Sequence, residues 1–285
     1  MSTTDDAWRG YDAIRPQDVV EPEVTMNDEP LLLKTQDARG AVTLTLNRPG
    51  AFNSLSEAML AALQQALDAV AADAQARVVV IAAAGKAFCA GHDLKEMRAE
   101  PSLAYYQRLF AQCAQMMLTI QRLPVPVIAR VHGIATAAGC QLVAMCDLAV
   151  AASDARFAVS GVNLGLFCST PSVALSRNLS RKHAFEMLVT GEFIGADEAR
   201  AKGLVNRVAP PEQLDAEVER LVASIVAKPK VAIAAGKGLF YRQLEKPIAA
   251  AYDDAGQTMA CNMMDEAALE GVQAFIDKRK PNWGC

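Results

Sequence analysis

The feature that most constrains this chain is an alternation of short apolar runs with helical periodicities, which begins near residue 41 and holds to residue 152. Ala41-Val-Thr-Leu-Thr-Leu-Asn47 puts Val42, Leu44 and Leu46 on one face, and Arg48-Pro49-Gly50 closes the run with a turn. Val78-Val-Val-Ile81, Val127-Ile-Ala-Arg-Val131 and Leu148-Ala-Val-Ala-Ala152 are continuous apolar runs, the pattern of strands covered on both faces. Between them, Leu60, Leu63, Leu67 and Val70 recur at helical spacing behind a Ser54/Glu57 capping box. A second helix is predicted from Ser102 to Arg122, and the small residues from Gly133 to Cys140 are expected to open a third that ends near Cys146. Strands separated by helices require crossover connections, which implies an α/β fold. Beyond residue 195 the pattern is mostly helical, with one short strand over Val205–Val208. The expected organisation is an extended acidic arm over 1–30, an α/β core over 31–200 and a helical region over 201–285.

Charge narrows the partners. The chain carries 28 basic and 32 acidic side chains, a net charge of −4. Eight of the acids lie in residues 1–30 against Arg9 and Arg15, so 26 basic residues face 24 acidic ones in the rest. That balance argues against a nucleic-acid surface while permitting a local anion site. No apolar run reaches the length of about 18 residues that a membrane span needs. The seven cysteines include no CxxC pair and mostly sit in apolar stretches, so a disulfide framework or metal site is not expected. With no cationic or apolar leader pattern at the N-terminus, a cytoplasmic location is the expectation.

Two junctions carry the candidate chemistry: Ala90-Gly91-His92-Asp93 and Ala135-Thr136-Ala137-Ala138-Gly139-Cys140-Gln141. Each places small residues where a helix begins, leaving backbone N–H groups without intrahelical partners. Two such groups converging on one point would hold a developing oxyanion. The same glycines equally permit tight packing of a helix on a sheet, and spacing alone leaves both readings open.

Several ordered motifs resolve that choice by resemblance. Asn47-Arg-Pro-Gly-Ala-Phe-Asn-Ser-Leu55, Lys86-Ala-Phe-Cys-Ala-Gly-His-Asp-Leu94, Pro124-Val-Pro-Val-Ile128 and Ala138-Gly-Cys-Gln-Leu-Val-Ala-Met-Cys-Asp147 resemble the crotonase (enoyl-CoA hydratase/isomerase) superfamily. So do Gly191-Glu-Phe-Ile-Gly-Ala-Asp-Glu-Ala199 and Ala274-Phe-Ile-Asp-Lys-Arg-Lys-Pro-Asn-Trp283. The resemblance covers residues 30–285, and the segments Ala135–Cys146 and Gly161–Pro171 narrow it to one branch. It implies a ββα-spiral core, a helical C-terminal oligomerisation region, and a homotrimer or homohexamer. It also implies an acyl-CoA thioester as partner, with coenzyme A part of the substrate and no separate cofactor.

Carried over position by position, the resemblance puts the two oxyanion donors on the backbone N–H groups of His92 and Ala138. Lys86, Lys95 and Lys278 match positions near the CoA phosphates, whereas Gly50 stands where some relatives carry another lysine. The two hydratase glutamates fall on Gln141 and Gly161, and a third acid position used by some relatives falls on Ser169. None of the three is a carboxylate. Hydration needs a base for water and an acid for the α carbon, so efficient hydration is not expected, and restoring acids at 141 and 161 should raise it if the backbone admits them. The resemblance also places histidine at the His92 position in a malonyl-type CoA decarboxylase, a reaction that needs no base to reach the enolate. A non-catalytic acyl-CoA-binding protein is the alternative of another class. Cys89 and Cys168 lie near the acyl site but, as apolar-buried thiols, are expected to be inert. Tyr105, Tyr106 and Phe110 are expected to line the acyl tunnel or to pack.

Overall fold

β1 (Leu32–Gln36) and β2 (Ala41–Leu46) pair antiparallel with Leu32 opposite Leu46, and β2 buries Val42, Leu44 and Leu46 as its alternation dictates. The computed structural model describes residues 29–283, so the acidic arm lies, but for its last two residues, outside the described residues.

α1 (Glu57–Ala72) turns Met59, Leu60, Leu63, Leu67 and Val70 inward. Its N-cap is Ser56, whose Oγ accepts from the Met59 N–H at 3.1 Å. The Ser54/Glu57 capping box does not form, because Ser54 Oγ lies 3.2 Å from the guanidinium of Arg48 instead. β3 (Val78–Ala83) is buried along its whole length. α2 (Leu94–Ala99) and α3 (Leu103–Arg122) follow, the latter capped by Ser102. β4 (Val127–Val131) then enters the sheet beside β3.

The segment expected to open directly into a helix first makes a strand, β5 (Ile134–Thr136), and only then α4 (Ala138–Met145). The reason is tertiary: β5 has a partner in β7 (Arg156–Ala158), with Ile134 opposite Arg156. Between them, β6 (Leu148–Ala152) joins β4. α5 (Ser169–Asn178), α6 (Arg181–Thr190), β8 (Ile194–Gly195), α7 (Ala196–Lys202), β9 (Arg207–Ala209) and α8 (Leu214–Val226) complete this part of the chain. The larger sheet runs β1-β2-β3-β4-β6-β9, parallel from β2 onward, and the smaller runs β5-β7-β8. α1 packs on β1, β2 and α3, while α8 packs on β3, β4 and β6. The parallel strands read as unbroken apolar runs because helices cover them.

The last three helices are α9 (Lys230–Gln243), α10 (Ile248–Met263) and α11 (Glu266–Ile276), and a buried cluster ties α9 to this body. Lys237 Nζ donates to the carbonyls of Ile120 and Val125 at 2.9 Å each and to Asp147 Oδ2 at 2.7 Å. Tyr241 donates its hydroxyl to the other oxygen of Asp147 at 2.7 Å. A buried ammonium is tolerated because all three of its hydrogens are satisfied. Among the described residues no helix is long and apolar enough to cross a membrane.

Candidate functional site

The two junctions singled out in the sequence lie against each other. The N–H groups of Phe88 and Cys89 both donate to the Ile134 carbonyl, at 3.0 and 3.1 Å, and the Thr136 N–H donates to the Cys89 carbonyl at 3.0 Å. Glycine sets how closely the segments approach. A Cβ on Gly139 would lie 2.1 Å from the Cys89 carbonyl oxygen. Gly91 has φ +92, and a Cβ there would meet Ala137 Cβ at 2.9 Å and Ala138 N at 3.3 Å. The start of α4 therefore rests directly on the loop before α2.

Peptide planarity then fixes where two N–H groups point. The Gly91 carbonyl accepts from the Leu55 N–H at 2.7 Å, and in a trans peptide the N–H of the next residue points the opposite way. The His92 N–H is thereby turned away from Leu55. The Ala137 carbonyl accepts from the Gln141 N–H at 3.0 Å as the first bond of α4. By the same geometry the Ala138 N–H points out of the helix N-terminus, where it has no intrahelical acceptor. Ala137 adopts φ 50, ψ −120, a left-handed region costly for a residue with a side chain. Its own N–H is held by the Ala158 carbonyl at 2.9 Å.

The polar side chains nearest in sequence to these amides include His92, Thr136 and Gln141, with Ser160 bonded to Thr136. His92 has both ring nitrogens buried and without a hydrogen-bond partner of good geometry, and its ring meets Phe110 edge-on at 5.5 Å. Burial pushes its pKa below the ordinary histidine value, with the Leu55 backbone opposing only in part. Gln141 is 5% exposed, and its Oε1 is buried without a donor. Thr136 and Ser160 share a buried hydrogen bond of 3.0 Å between hydroxyls.

Gly161 is not an open position. A Cβ there would lie 2.4 Å from the Leu166 carbonyl oxygen and 2.8 Å from Cys168 Sγ, and Leu166 N–H donates back to the Gly161 carbonyl at 2.9 Å. The 160–168 loop fills the space from which a side chain would project. The expectation that acids at 141 and 161 would raise hydration depended on a backbone that admits the side chain, and this backbone does not admit one at 161. Ser169, the first residue of α5, is exposed, and its Oγ donates to the Phe167 carbonyl at 3.3 Å. Burial pushes the Cys89 and Cys140 thiols up to about 12 and raises that of Cys168. None is poised as a thiolate.

The comparisons with known proteins bear directly on this arrangement. The enoyl-CoA hydratase/isomerase family model matches residues 36–285. The chain belongs to that family. A crystal structure described as an enoyl-CoA hydratase of Mycobacterium smegmatis is 71% identical, superposes with a TM-score of 0.89, and is matched over 90% of this chain and 99% of that one. The crystal structure of human enoyl-CoA hydratase domain-containing protein 3 is 43% identical with a TM-score of 0.86, over 89% of this chain and 100% of that one. The mouse protein of the same name is 45% identical over 90% of this chain and 85% of its own length. That is the branch to which the segments Ala135–Cys146 and Gly161–Pro171 resemble. The α/β architecture is the crotonase fold, and members of the family act on acyl-CoA thioesters.

One expectation falls here. The mouse protein and its counterparts in rat, frog, human and zebrafish are named as mitochondrial, which overturns the cytoplasmic reading. That reading drew on the N-terminal residue pattern, which lies outside the described residues, and the cysteines lend it no support, since five of those described are buried. Burial makes such thiols inert in any compartment, so they report packing rather than location.

Within the family frame, the remaining sequence-chosen residues are more scattered. Lys86, Lys95 and Lys278 are all exposed, Lys278 two residues beyond α11 with φ 57. The structure gives no contact that gathers them at one point. Of the aromatic residues on α3, Tyr106 stacks on Phe110 at 6.4 Å and donates its hydroxyl to the Met97 carbonyl at 3.0 Å. What the sequence reading missed is Arg48 and Asp93, which pair at 2.6 Å beside His92. Their presence inside two of the quoted motifs, 45 positions apart, was the available signal.

Proposed function

We propose that this protein binds an acyl-CoA thioester with the carbonyl oxygen between the N–H groups of His92 and Ala138, and that it is not an efficient enoyl-CoA hydratase. The observation that carries the reading is the pair of outward-turned amides on loops that touch at Gly91 and Ala138. A preorganised donor of this kind contributes about 3–4 kcal/mol to an enolate-like state. Gln141 cannot titrate, and the position of Gly161 is occupied by its own loop. Each acid/base group contributes about 10²–10⁴-fold to such reactions, so hydration lacking both falls by about 10⁴-fold or more. Lys86, Lys95 and Lys278 serve in this reading as contacts for the CoA phosphates, and no cofactor beyond the substrate's own CoA is required.

The neutral, unpartnered imidazole of His92 favours decarboxylation of a malonyl-type CoA as the accompanying reaction. A leaving carboxylate generates the enolate without a base, and His92 supplies one donor and one acceptor beside it. A binding protein without turnover uses the same amides. The name of the Mycobacterium smegmatis relative points instead to hydration, and one experiment separates these readings. Crotonyl-CoA binding is measured by calorimetry and its hydration by loss of enoyl absorbance. Binding with turnover at least about 10⁴-fold below an ordinary rate of about 10 s⁻¹ is expected; turnover near 10 s⁻¹ sinks the proposal.

The same reading includes a homotrimer or homohexamer. Ile248, Tyr252 and Met259 on α10, and Phe275 on α11 at 85% exposed, leave apolar surface that a neighbouring copy would cover. Light scattering of the full chain at micromolar concentration is expected to give three or six copies, and a monomer would refute it.

A further inference from the structure

The loop that carries His92 is held by a charged pair for which the thioester reading has no use. Arg48 Nη1 donates to Asp93 Oδ2 at 2.6 Å, and Asp93 is only 8% exposed. The other oxygen of the same carboxylate accepts from the N–H groups of Lys95 at 2.9 Å and Glu96 at 3.3 Å, capping α2. Burial works to raise the Asp93 carboxyl, but Arg48 and these two N–H groups together hold it below the usual carboxylate value.

Arg48 is itself anchored. Its N–H donates to Asn53 Oδ1 at 2.9 Å, while Asn53 Nδ2 donates to the carbonyls of Ala84 and Ala87 at 2.8 Å each. From this anchor, residues 52–55 form a short template for residues 90–93. Ala90 N–H donates to Phe52 O at 3.0 Å, Leu55 N–H to Gly91 O at 2.7 Å, and Asp93 N–H to Leu55 O at 3.4 Å. The last bond is the longest of the three, and it lies where the ion pair closes the template. The peptide that presents the His92 N–H is therefore gripped by Leu55 on one side and by Arg48–Asp93 immediately after it.

We propose that Arg48 and Asp93 are positioning residues that fix the direction of the His92 N–H without touching the substrate. A hydrogen bond weakens steeply as its angle departs from linearity, so the ladder, ending in a long bond, needs the ion pair to keep the donor aimed. Removing Arg48 also leaves a buried carboxylate without its cation, which releases the residue next to His92. The inference rests on the acyl-CoA reading above, and the test is chosen so that the two fail differently.

Two probes that differ only in the carbonyl isolate the contact: butyryl-CoA, a thioester, and S-butyl-CoA, the thioether without the oxygen. Their affinities for the full chain are measured by calorimetry in the wild type and in Arg48→Gln. The wild type is expected to prefer the thioester. In Arg48→Gln that preference falls about tenfold, while thioether binding stays within about twofold of the wild type. Arg48→Lys, which keeps a cation against Asp93, recovers part of the preference. In parallel, the red shift of cinnamoyl-CoA absorbance on binding, a report of carbonyl polarisation, shrinks in Arg48→Gln. Should that variant not fold, Asp93→Asn keeps the α2 cap acceptor, removes the ion pair, and is read by the same ratio.

An unchanged ratio, or equal weakening of both probes, overturns the positioning role and leaves the acyl-CoA reading standing. A wild type that binds both probes equally, or neither, overturns the acyl-CoA reading and the pair's role with it.

Discussion

In the 86–92 and 133–139 segments, missing side chains let two backbones approach until their N–H groups turn outward together. In the 160–168 segment, a missing side chain lets a backbone carbonyl in and closes a space. Gly139 belongs to the first case, with the Cys89 carbonyl 2.1 Å from where its Cβ would stand; Gly161 belongs to the second, with the Leu166 carbonyl at 2.4 Å. The numbers are nearly the same and the consequences differ. Donors made of main chain survive wherever the loops keep their approach, whereas acid/base chemistry depends on what side chain occupies two positions. On the proposed reading, this chain keeps the half of a site that binds a carbonyl and lacks the half that moves protons.

That contrast is open to attack, most forcefully at Gly139. Within a helix alanine is normally favoured over glycine by up to about 1 kcal/mol, and Gly139 is the second residue of α4. Here the added methyl meets backbone, so Gly139→Ala is expected to destabilise by about 3 kcal/mol or more, read as a fall in the denaturation midpoint. A neutral or stabilising result would show that the two loops are not pinned by this contact.

The second test is at the closed site. Gln141→Glu combined with Gly161→Glu is expected to leave hydration near the wild-type level and to lower stability by at least about 1–3 kcal/mol, the usual cost of overpacking. A folded double variant with strongly increased crotonyl-CoA hydration would mean that the 160–168 loop yields readily and that the comparison between the two glycine sites is wrong.

The smallest expected effect is the pH dependence of His92. Its folded pKa lies below the ordinary value of 6.5 because of burial. Below that value the unfolded chain binds a proton that the folded chain refuses, so stability is present above it and declines as pH falls from 6.5 toward the folded value. Replacing His92 with Asn should flatten the part of the midpoint-versus-pH curve that lies below the ordinary histidine value of 6.5. An unchanged slope would place the ring in water rather than buried against Phe110.

Much of the frame was legible in the residues. The alternation of Val42, Leu44 and Leu46 and the apolar run from Val78 specify strands because side-chain period and burial are properties of the local chain. The stripe of Leu60, Leu63, Leu67 and Val70 specified α1 for the same reason, though its cap moved from Ser54 to Ser56 when Arg48 took up Ser54. β5 was not legible, since three small residues become a strand only where a partner such as β7 lies beside them. Nor was the pairing of Arg48 with Asp93, because nothing local says which of many charges will meet.

By itself, then, the sequence determined where the principal strands and helices between residues 41 and 152 lie, β5 excepted, which positions lack carboxylates, and which small residues mark the two junctions, all through propensities and periodicities that act within a few residues. Only the tertiary structure decided that the junctions touch, that the His92 and Ala138 N–H groups turn outward, and that Gly161 is filled by its own loop. Those outcomes depend on peptide orientations and on contacts between segments tens of residues apart, which a linear pattern of residue types does not encode.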